Sequence, residues 1–511
     1  MAAPAIWRQV AVAGSGDPGQ LHLTFGGDPA TQMTASWVTN TGVANPRLLL
    51  GTPSSGGYGT TIAAHTRTYT AAATKTMAST QVVTQHVQLT GLLPGATYVY
   101  EVTHDGSTVP AAGTFTTAKQ GRFPFRFTCF GDQGTGNPID VGYSPQAIAI
   151  VDHINRAAPL FQLFNGDLAY SDLQQSTVDA WTDFFTNNQP STANIPWMPS
   201  PGNHENETGN GPQGFASYLT RYLLPDNGVT DFHGNWYTFQ VGGVQVISLD
   251  ADDVVYQDSG NFYIRGYSAG AQKAWLQRTL AAARANPSVD WIVVFQHMAV
   301  ISSSTTGNGS DLGLRQEFQP LFDAYGVDLV LCGHEHDYER SYTLHGYDPG
   351  SATLSPKVIS TRTDIVDSTQ GTVYLVLGGG GFVLPTNVFN PTTPTGKVNI
   401  AKGTTATEPA DWSYYRDAES PFGFATLDVD PGKPGGLTSI TVTYFHTTQT
   451  GLAPTPVETF VLQRPRADNT AAPAALPEAG LTLGLPLAGA AIAGGALLLA
   501  RTRASTAHTG A

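Results

Sequence analysis

Five short blocks each place a metal-type ligand directly after a hydrophobic run. Phe127-Thr-Cys-Phe130 leads into Gly131-Asp132-Gln133-Gly134, and Leu163-Phe-Asn leads into Gly166-Asp167-Leu168-Ala169-Tyr170. Met198-Pro-Ser-Pro leads into Gly202-Asn203-His204-Glu205, and Trp291-Ile-Val-Val-Phe-Gln into His297. Val327-Asp-Leu-Val-Leu-Cys leads into Gly333-His334-Glu335-His336. Parallel α/β sheets gather functional groups at the carboxyl ends of their strands, so the five blocks are expected to converge on one crevice. Together they offer Asp, Tyr, Asn and His donors, a set for two metal ions with hard-oxygen and imidazole preferences: iron, zinc or manganese. In an extended segment residues i and i+2 share a face, so His334 and His336 point the same way and Glu335 elsewhere.

The ordered set GDxG, GDxxY, GNH[DE], VxxH (Val294 to His297) and GHxH resembles the purple acid phosphatases, within the calcineurin-like metallophosphoesterases. Tyr170, three residues after Asp167, is its most specific member. The resemblance implies a ferric site held by Asp132, Asp167, Tyr170 and His336, with Asp167 bridging to a divalent Zn, Fe or Mn site completed by Asn203, His297 and His334. It implies that His204 contacts the phosphate and protonates the leaving group as general acid. Glu205 is its expected orienting partner. The implied activity is hydrolysis of phosphate monoesters by metal-activated water, releasing inorganic phosphate. The alternatives are a metal-dependent phosphodiesterase or nucleotide hydrolase and, in a different class, a cell-surface binding protein. One departure stands out: Met298 to Cys332, where many family members carry further histidines, contains none. His233 is read as a strand-edge surface residue, and Tyr338-Glu339-Arg340 as structural support.

The elements that must position these blocks make a mixed α+β and α/β multidomain protein. Residues 17–117 alternate with period two, as in Gln20–Phe25 and Met33–Thr39, and read as a β-sandwich with Trp37 as core anchor. This stretch resembles the fibronectin-III-like N-terminal domain of the larger purple acid phosphatases. Its His22, His65, His86 and His104 read as ordinary surface or strand histidines. Residues 118–122 form a linker. Residues 123–465 are the catalytic domain, for which the resemblance implies a four-layer α/β sandwich. Pro145–Ala157 and Gln272–Leu280 read as helices, and Trp236–Phe239, Val244–Leu249 and Thr372–Leu377 as strands. The run Gly378 to Gly381 reads as a tight turn beside the site, with a phosphate cradle as the alternative. Cys129 and Cys332 read as buried strand cysteines.

The chain has 511 residues, enough for two or three domains, with 56 Gly and 34 Pro and only 13% charged residues. That composition suits a loop- and strand-rich protein. The net charge of −14 argues against nucleic acid or an anionic membrane as main partner; phosphate esters of small molecules are the expected one. Two cysteines exclude a disulfide framework.

Residues 466–480 are an Ala/Pro-rich spacer ending in Leu476-Pro-Glu-Ala-Gly480, similar to a sortase sorting signal with Ala479 in place of Thr. Residues 481–503 add the uncharged Leu481–Ala500 and the basic Arg501 and Arg503. At about 1.5 Å per residue this stretch could span a core of about 30 Å. It is read as a cell-wall signal, a membrane anchor or a plain tail. The first two place the protein at the cell surface and require export, although Met1 to Gly14 shows no signal peptide.

Overall fold

The computed structural model describes residues 16–71, 79–207, 214–257, 264–383, 388 and 392–469. Eight strands between Gly19 and Thr116 form two four-stranded antiparallel sheets. Trp37 is fully buried between them, as its place in an alternating strand requires.

Two seven-stranded sheets follow. The first has the order Trp197–Pro199, Phe161–Phe164, Phe125–Phe130, Gly423–Asp430, Leu437–His446, Thr455–Pro465, Ile365–Asp367. The second runs Tyr237–Val241, Val244–Ser248, Trp291–Phe295, Leu329–Cys332, Val373–Leu377, Tyr338–Ser341, Ser413–Arg416. Trp197–Pro199, Phe161–Phe164 and Phe125–Phe130 are parallel in the first sheet, as are Val244–Ser248, Trp291–Phe295, Leu329–Cys332 and Val373–Leu377 in the second, with alternate side chains serving different cores. Trp291, Val293 and Phe295 join the cluster between the sheets, while Ile292 and Val294 join the one beneath the outer helices. Helices α1 (Gln146–Ala157) and α2 (Thr177–Thr192) cover the first sheet. After the short α3 (Ala216–Arg221), α4 (Ala271–Ala285), α5 (Leu312–Glu317) and α6 (Gln319–Tyr325) cover the second. The layers therefore run helix, sheet, sheet, helix.

Residues through Thr470 make one compact unit. The apolar core is continuous across the junction: Phe25 of the sandwich packs on Phe161 and Phe239, with ring centroids 5.7 and 5.8 Å apart. Helix α3 shows a second bond. The last carbonyls of a helix lack partners within it. Here sandwich side chains supply them: Arg67 donates to Leu219 O, His86 to Thr220 O and His22 to Arg221 O, at 2.9–3.0 Å, and Thr24 bonds Leu223 O just beyond the helix at 2.8 Å. His22, His86 and His104 lie in strands, as read, but they are buried and not at the surface. His65 is exposed, as that reading had it.

The segment Leu481–Ala500 and its basic tail lie outside the described residues. Among the described residues no helix is long and apolar enough to cross a membrane.

Candidate metal centre

Every block leaves the carboxyl end of a strand. Asp132 follows the strand ending at Phe130, Asp167 and Tyr170 the one ending at Phe164, and Asn203 and His204 the one ending at Pro199. His297 follows Phe295, and His334 and His336 follow Cys332. Parallel pairing aligns these ends, with Leu163 opposite Cys129 and Met198 in one sheet and Val294 opposite Val330 in the other. The turns are tight. Ten non-glycine residues among those described have left-handed φ, and Asp132, Asp167, Tyr170 and His334 are four of them. Strained backbone of this kind concentrates where geometry serves function. The flanking glycines are steric necessities. A Cβ on Gly202 would lie 2.3 Å from Asp167 Oδ1, and one on Gly333 would lie 2.4 Å from Asp132 Oδ2.

The eight sequence-selected residues meet in one buried cluster. His297 Nδ1 lies 2.7 Å from the carbonyl oxygen of Asn165. A carbonyl only accepts, so Nδ1 carries a proton, and in the neutral, metal-binding ring Nε2 has the lone pair. That lone pair faces Asp167 Oδ2 at 3.0 Å, Asn203 Oδ1 at 3.1 Å and His334 Nδ1 at 3.0 Å. His334 Nε2 is anchored 3.0 Å from Gln257 Oε1, which leaves its Nδ1 lone pair turned into the cluster. His336 Nδ1 donates to Phe382 O at 3.1 Å, and its Nε2 faces Tyr170 Oη at 3.0 Å and Asp132 Oδ1 at 3.2 Å. Each imidazole thus has one nitrogen fixed by an oxygen and the other aimed inward, the outer-shell pattern of metal-binding histidines.

This donor set fits metal ions. A proton on His297 Nε2 would serve one of its three contacts, whereas a cation would draw all of them. The ligand atoms of Asp167, His297 and His334 lie within 4.8 Å of one another. Asn203 borders that group through His297. Asp132, Tyr170 and His336 form the adjoining group, with Tyr170 Oη 3.1 Å from Asp132 Oδ1. Burial pushes the pKa of Asp167 up, but His297 and His204 outweigh it and hold the carboxyl below the usual range. Burial, then Asp132, pushes the Tyr170 phenol well above its usual value.

His204 stands beside the donors. Its backbone N–H donates to Asp167 Oδ1 at 3.0 Å, and its ring lies 4.4 Å from the Tyr170 ring. Its Nδ1 donates to Asp172 at 2.8 and 3.0 Å. Burial lowers its pKa, yet Asp167 and Asp172 outweigh burial and raise it to about 9. The expected pairing with Glu205 is therefore corrected. The Glu205 carboxylate accepts from the backbone N–H groups of Asp167, Leu168 and Gly202, each at 2.8 Å, and so clamps two of the turns together. Asp172 escaped the sequence reading, although it lies only two residues after Tyr170. No motif spacing relates it to His204.

The remaining expectations sort cleanly. His233 is exposed and bonds Asp226. Glu335 turns away and accepts from Gly309 N. Tyr338 and Arg340 both engage Glu458, and Glu339 pairs with Arg416. Both cysteines are buried. In the glycine run, Gly378 and Gly380 donate to Asp337 O and Gly131 O, so those amides are spent on the tight turn and not on a cradle.

A family model described as calcineurin-like phosphoesterase matches residues 125–338, and one described as the N-terminal domain of purple acid phosphatase matches residues 18–117. An uncharacterised protein of Mycobacterium tuberculosis is 47% identical over 484 residues, covering 91% of this chain and 90% of its own. Acid phosphatase type 7 of Mus musculus is 27% identical over 71% of this chain and 78% of its own. The structure of purple acid phosphatase PPD1 from yellow lupin seeds superposes with a TM-score of 0.66 at 18% identity. It covers 89% of this chain and 76% of the lupin chain, and shows a shared fold. With matched motifs, matched models and a shared fold over both regions, the chain belongs to the purple acid phosphatase family of calcineurin-like metallophosphoesterases.

Proposed function

We propose that the protein hydrolyses phosphate monoesters at a binuclear centre and releases inorganic phosphate. The observation that carries this reading is the three imidazoles, each anchored through one nitrogen and turned with the other into the shared donor cluster. Asp132, Asp167, Tyr170 and His336 would hold iron; Asn203, His297 and His334, with Asp167 shared, would hold zinc, iron or manganese. Two such ions activate water near neutral pH and neutralise the charge of the phosphoryl oxygens. His204 binds the ester and holds a proton for its leaving oxygen, and Asp172 fixes the ring for that task. Glu205 keeps the turns bearing Asp167 and Asn203 in register. Protein reconstituted with iron and zinc should carry two metals per chain and release phosphate from a monoester. At most one metal, or no release, overturns the proposal. Tyr170→Phe should abolish a visible tyrosinate–iron absorption while leaving the fold intact.

A phosphodiester is the second reading. The histidine-free loop places the neutral Asn308 beside His334, its Nδ2 2.7 Å from His334 O, and a diester brings one negative charge fewer to neutralise. A paired monoester and diester assay separates the two.

We further propose the modules 17–117 and 123–465, and a surface location secured through 481–503. The uncharged length of Leu481–Ala500 supports an anchor. Deleting residues 476–511 should release exported protein into the medium at unchanged specific activity; full-length protein already free and unprocessed there would refute the anchor.

A further inference from the structure

Fourteen large hydrophobic side chains are exposed among the described residues, and four of them gather beside the metal centre. Ile139 is 76% exposed, Val141 56%, Val383 46% and Leu173 42%. They come from three separate segments that the backbone ties together. Val141 N donates to Gln174 Oε1 at 2.9 Å, and Gln174 Nε2 returns a bond to Val141 O at 3.1 Å. Val383 N donates to Gly142 O at 2.8 Å.

The patch is continuous with the site. Phe382, next to Val383, stacks on Tyr170 with centroids 3.6 Å apart and planes 12° apart, while its carbonyl anchors His336. The loop bearing Ile139 and Val141 rests on the same ring. A Cβ on Gly142 would fall 2.0 Å from Phe382 Cε2, so glycine is what lets the loop approach. Leu173 directly follows Asp172, the partner of His204. Val383, next to Phe382, and the loop at Gly142 thus join the exposed side chains to the Tyr170–Phe382 stack.

Clustered exposed apolar side chains cost solvation free energy and mark binding surfaces. Their neighbours narrow the occupant. The segments carry Asp140 and Asp172 and no Lys or Arg, and the chain's net charge is −14, so an anionic bilayer is disfavoured. Leu173 follows Asp172, the partner of His204, so the patch borders the place assigned to the leaving group. We propose that Ile139, Val141, Leu173 and Val383 form a subsite for the hydrocarbon portion of the ester, and that the substrates are monoesters of apolar alcohols. This rests on the phosphate-ester reading above and names its substrate class.

The test is calorimetric binding of methylphosphonate and octylphosphonate to the metal-loaded protein. Burial of two to three methylenes gives octylphosphonate a roughly 15–60-fold advantage. The double variant I139S/V141S, and separately Leu173→Ser, should cut that advantage to a few-fold and leave methylphosphonate binding unchanged. Equal binding of the two probes by the unaltered protein, or an advantage that survives both changes, overturns the subsite. Neutral phosphatidylcholine vesicles, captured by the unaltered protein but not by the double variant while the probes bind equally, would assign the patch to a bilayer and also overturn it. The two readings fail separately. A protein that prefers octylphosphonate yet releases no phosphate from any ester keeps the subsite and loses the hydrolase, whereas one that turns over methyl and octyl phosphate equally loses the subsite alone.

Discussion

A trio of histidines in the sandwich and a trio in the catalytic region differ in one respect. In the sandwich, both ring nitrogens are used within the protein. His86 takes a bond from Ser36 Oγ at 2.8 Å and donates to Thr220 O at 3.0 Å. His22 spans Gln20 O and Arg221 O, and His104 spans Asp105 O and Gly16 O. In the catalytic region His297, His334 and His336 each have one nitrogen anchored and one turned toward other donors. What separates the two trios is that both ring nitrogens of the sandwich histidines are held by backbone carbonyls or a hydroxyl, whereas the second nitrogens of His297, His334 and His336 face one another and the side-chain donors of the site. Three lone-pair donors crowding one such nitrogen are a stronger pointer to a cation than any count of histidines.

The sharpest contrast is expected from truncating one member of each trio. His297→Ala should lose metal and lower turnover by about 10³-fold or more, since a Lewis acid supplies several kcal/mol to the transition state. His86→Ala should keep both metals and cost about 1–3 kcal/mol of stability, because Thr220 O loses its donor. Elemental analysis beside thermal unfolding reads both, and metal loss from His86→Ala would break the distinction.

His204 lies between the two kinds, with one nitrogen on Asp172 and the other 3.8 Å from Asp167 Oδ2. His204→Ala should retain metal and lose turnover by about 10²–10⁴-fold. Substrates with good leaving groups should suffer less. Equal losses on activated and unactivated esters would remove the general acid from the scheme.

A smaller effect is expected from Asp172→Asn, roughly a 10-fold fall in kcat with metal content unchanged, because a hydrogen-bond acceptor remains but the imidazolium loses its charged partner. An unaltered kcat would return Asp172 to a purely structural role.

The smallest effect concerns acid. Burial, then Arg67, holds the His86 pKa down to about 3, against 6.5 in the unfolded chain. The folded state binds fewer protons than the unfolded one between these values. Stability from this group is therefore full above pH 6.5 and declines as pH falls toward 3, by at most about 1.4 kcal/mol per pH unit. His86→Gln should flatten that part of the stability–pH curve. A curve identical to that of the unaltered protein would contradict the neutral, bonded ring.

Much of the site was legible without coordinates. Asp132, Asp167, Tyr170, Asn203, His204, His297, His334 and His336 follow hydrophobic strands at short, fixed offsets, and a strand with its exit turn is a local object. Period-two patterns likewise announced the sandwich strands, and a short apolar run followed by glycine announced each parallel strand. The candidate donor residues, their order and the mixed α/β class were thus properties of the sequence. What the tertiary structure decided was pairing at long range. His86 meets Thr220 across 134 positions, and His334 meets Gln257 across 77. Glu205 clamps backbone while Asp172 takes His204, although Glu205 is adjacent in sequence and Asp172 is 32 positions away. A side chain's partner depends on which strand ends the two sheets bring together, and no spacing rule encodes that. The same reason made a continuous core of what composition divides into two domains, and gathered Ile139, Leu173 and Val383 onto one rim.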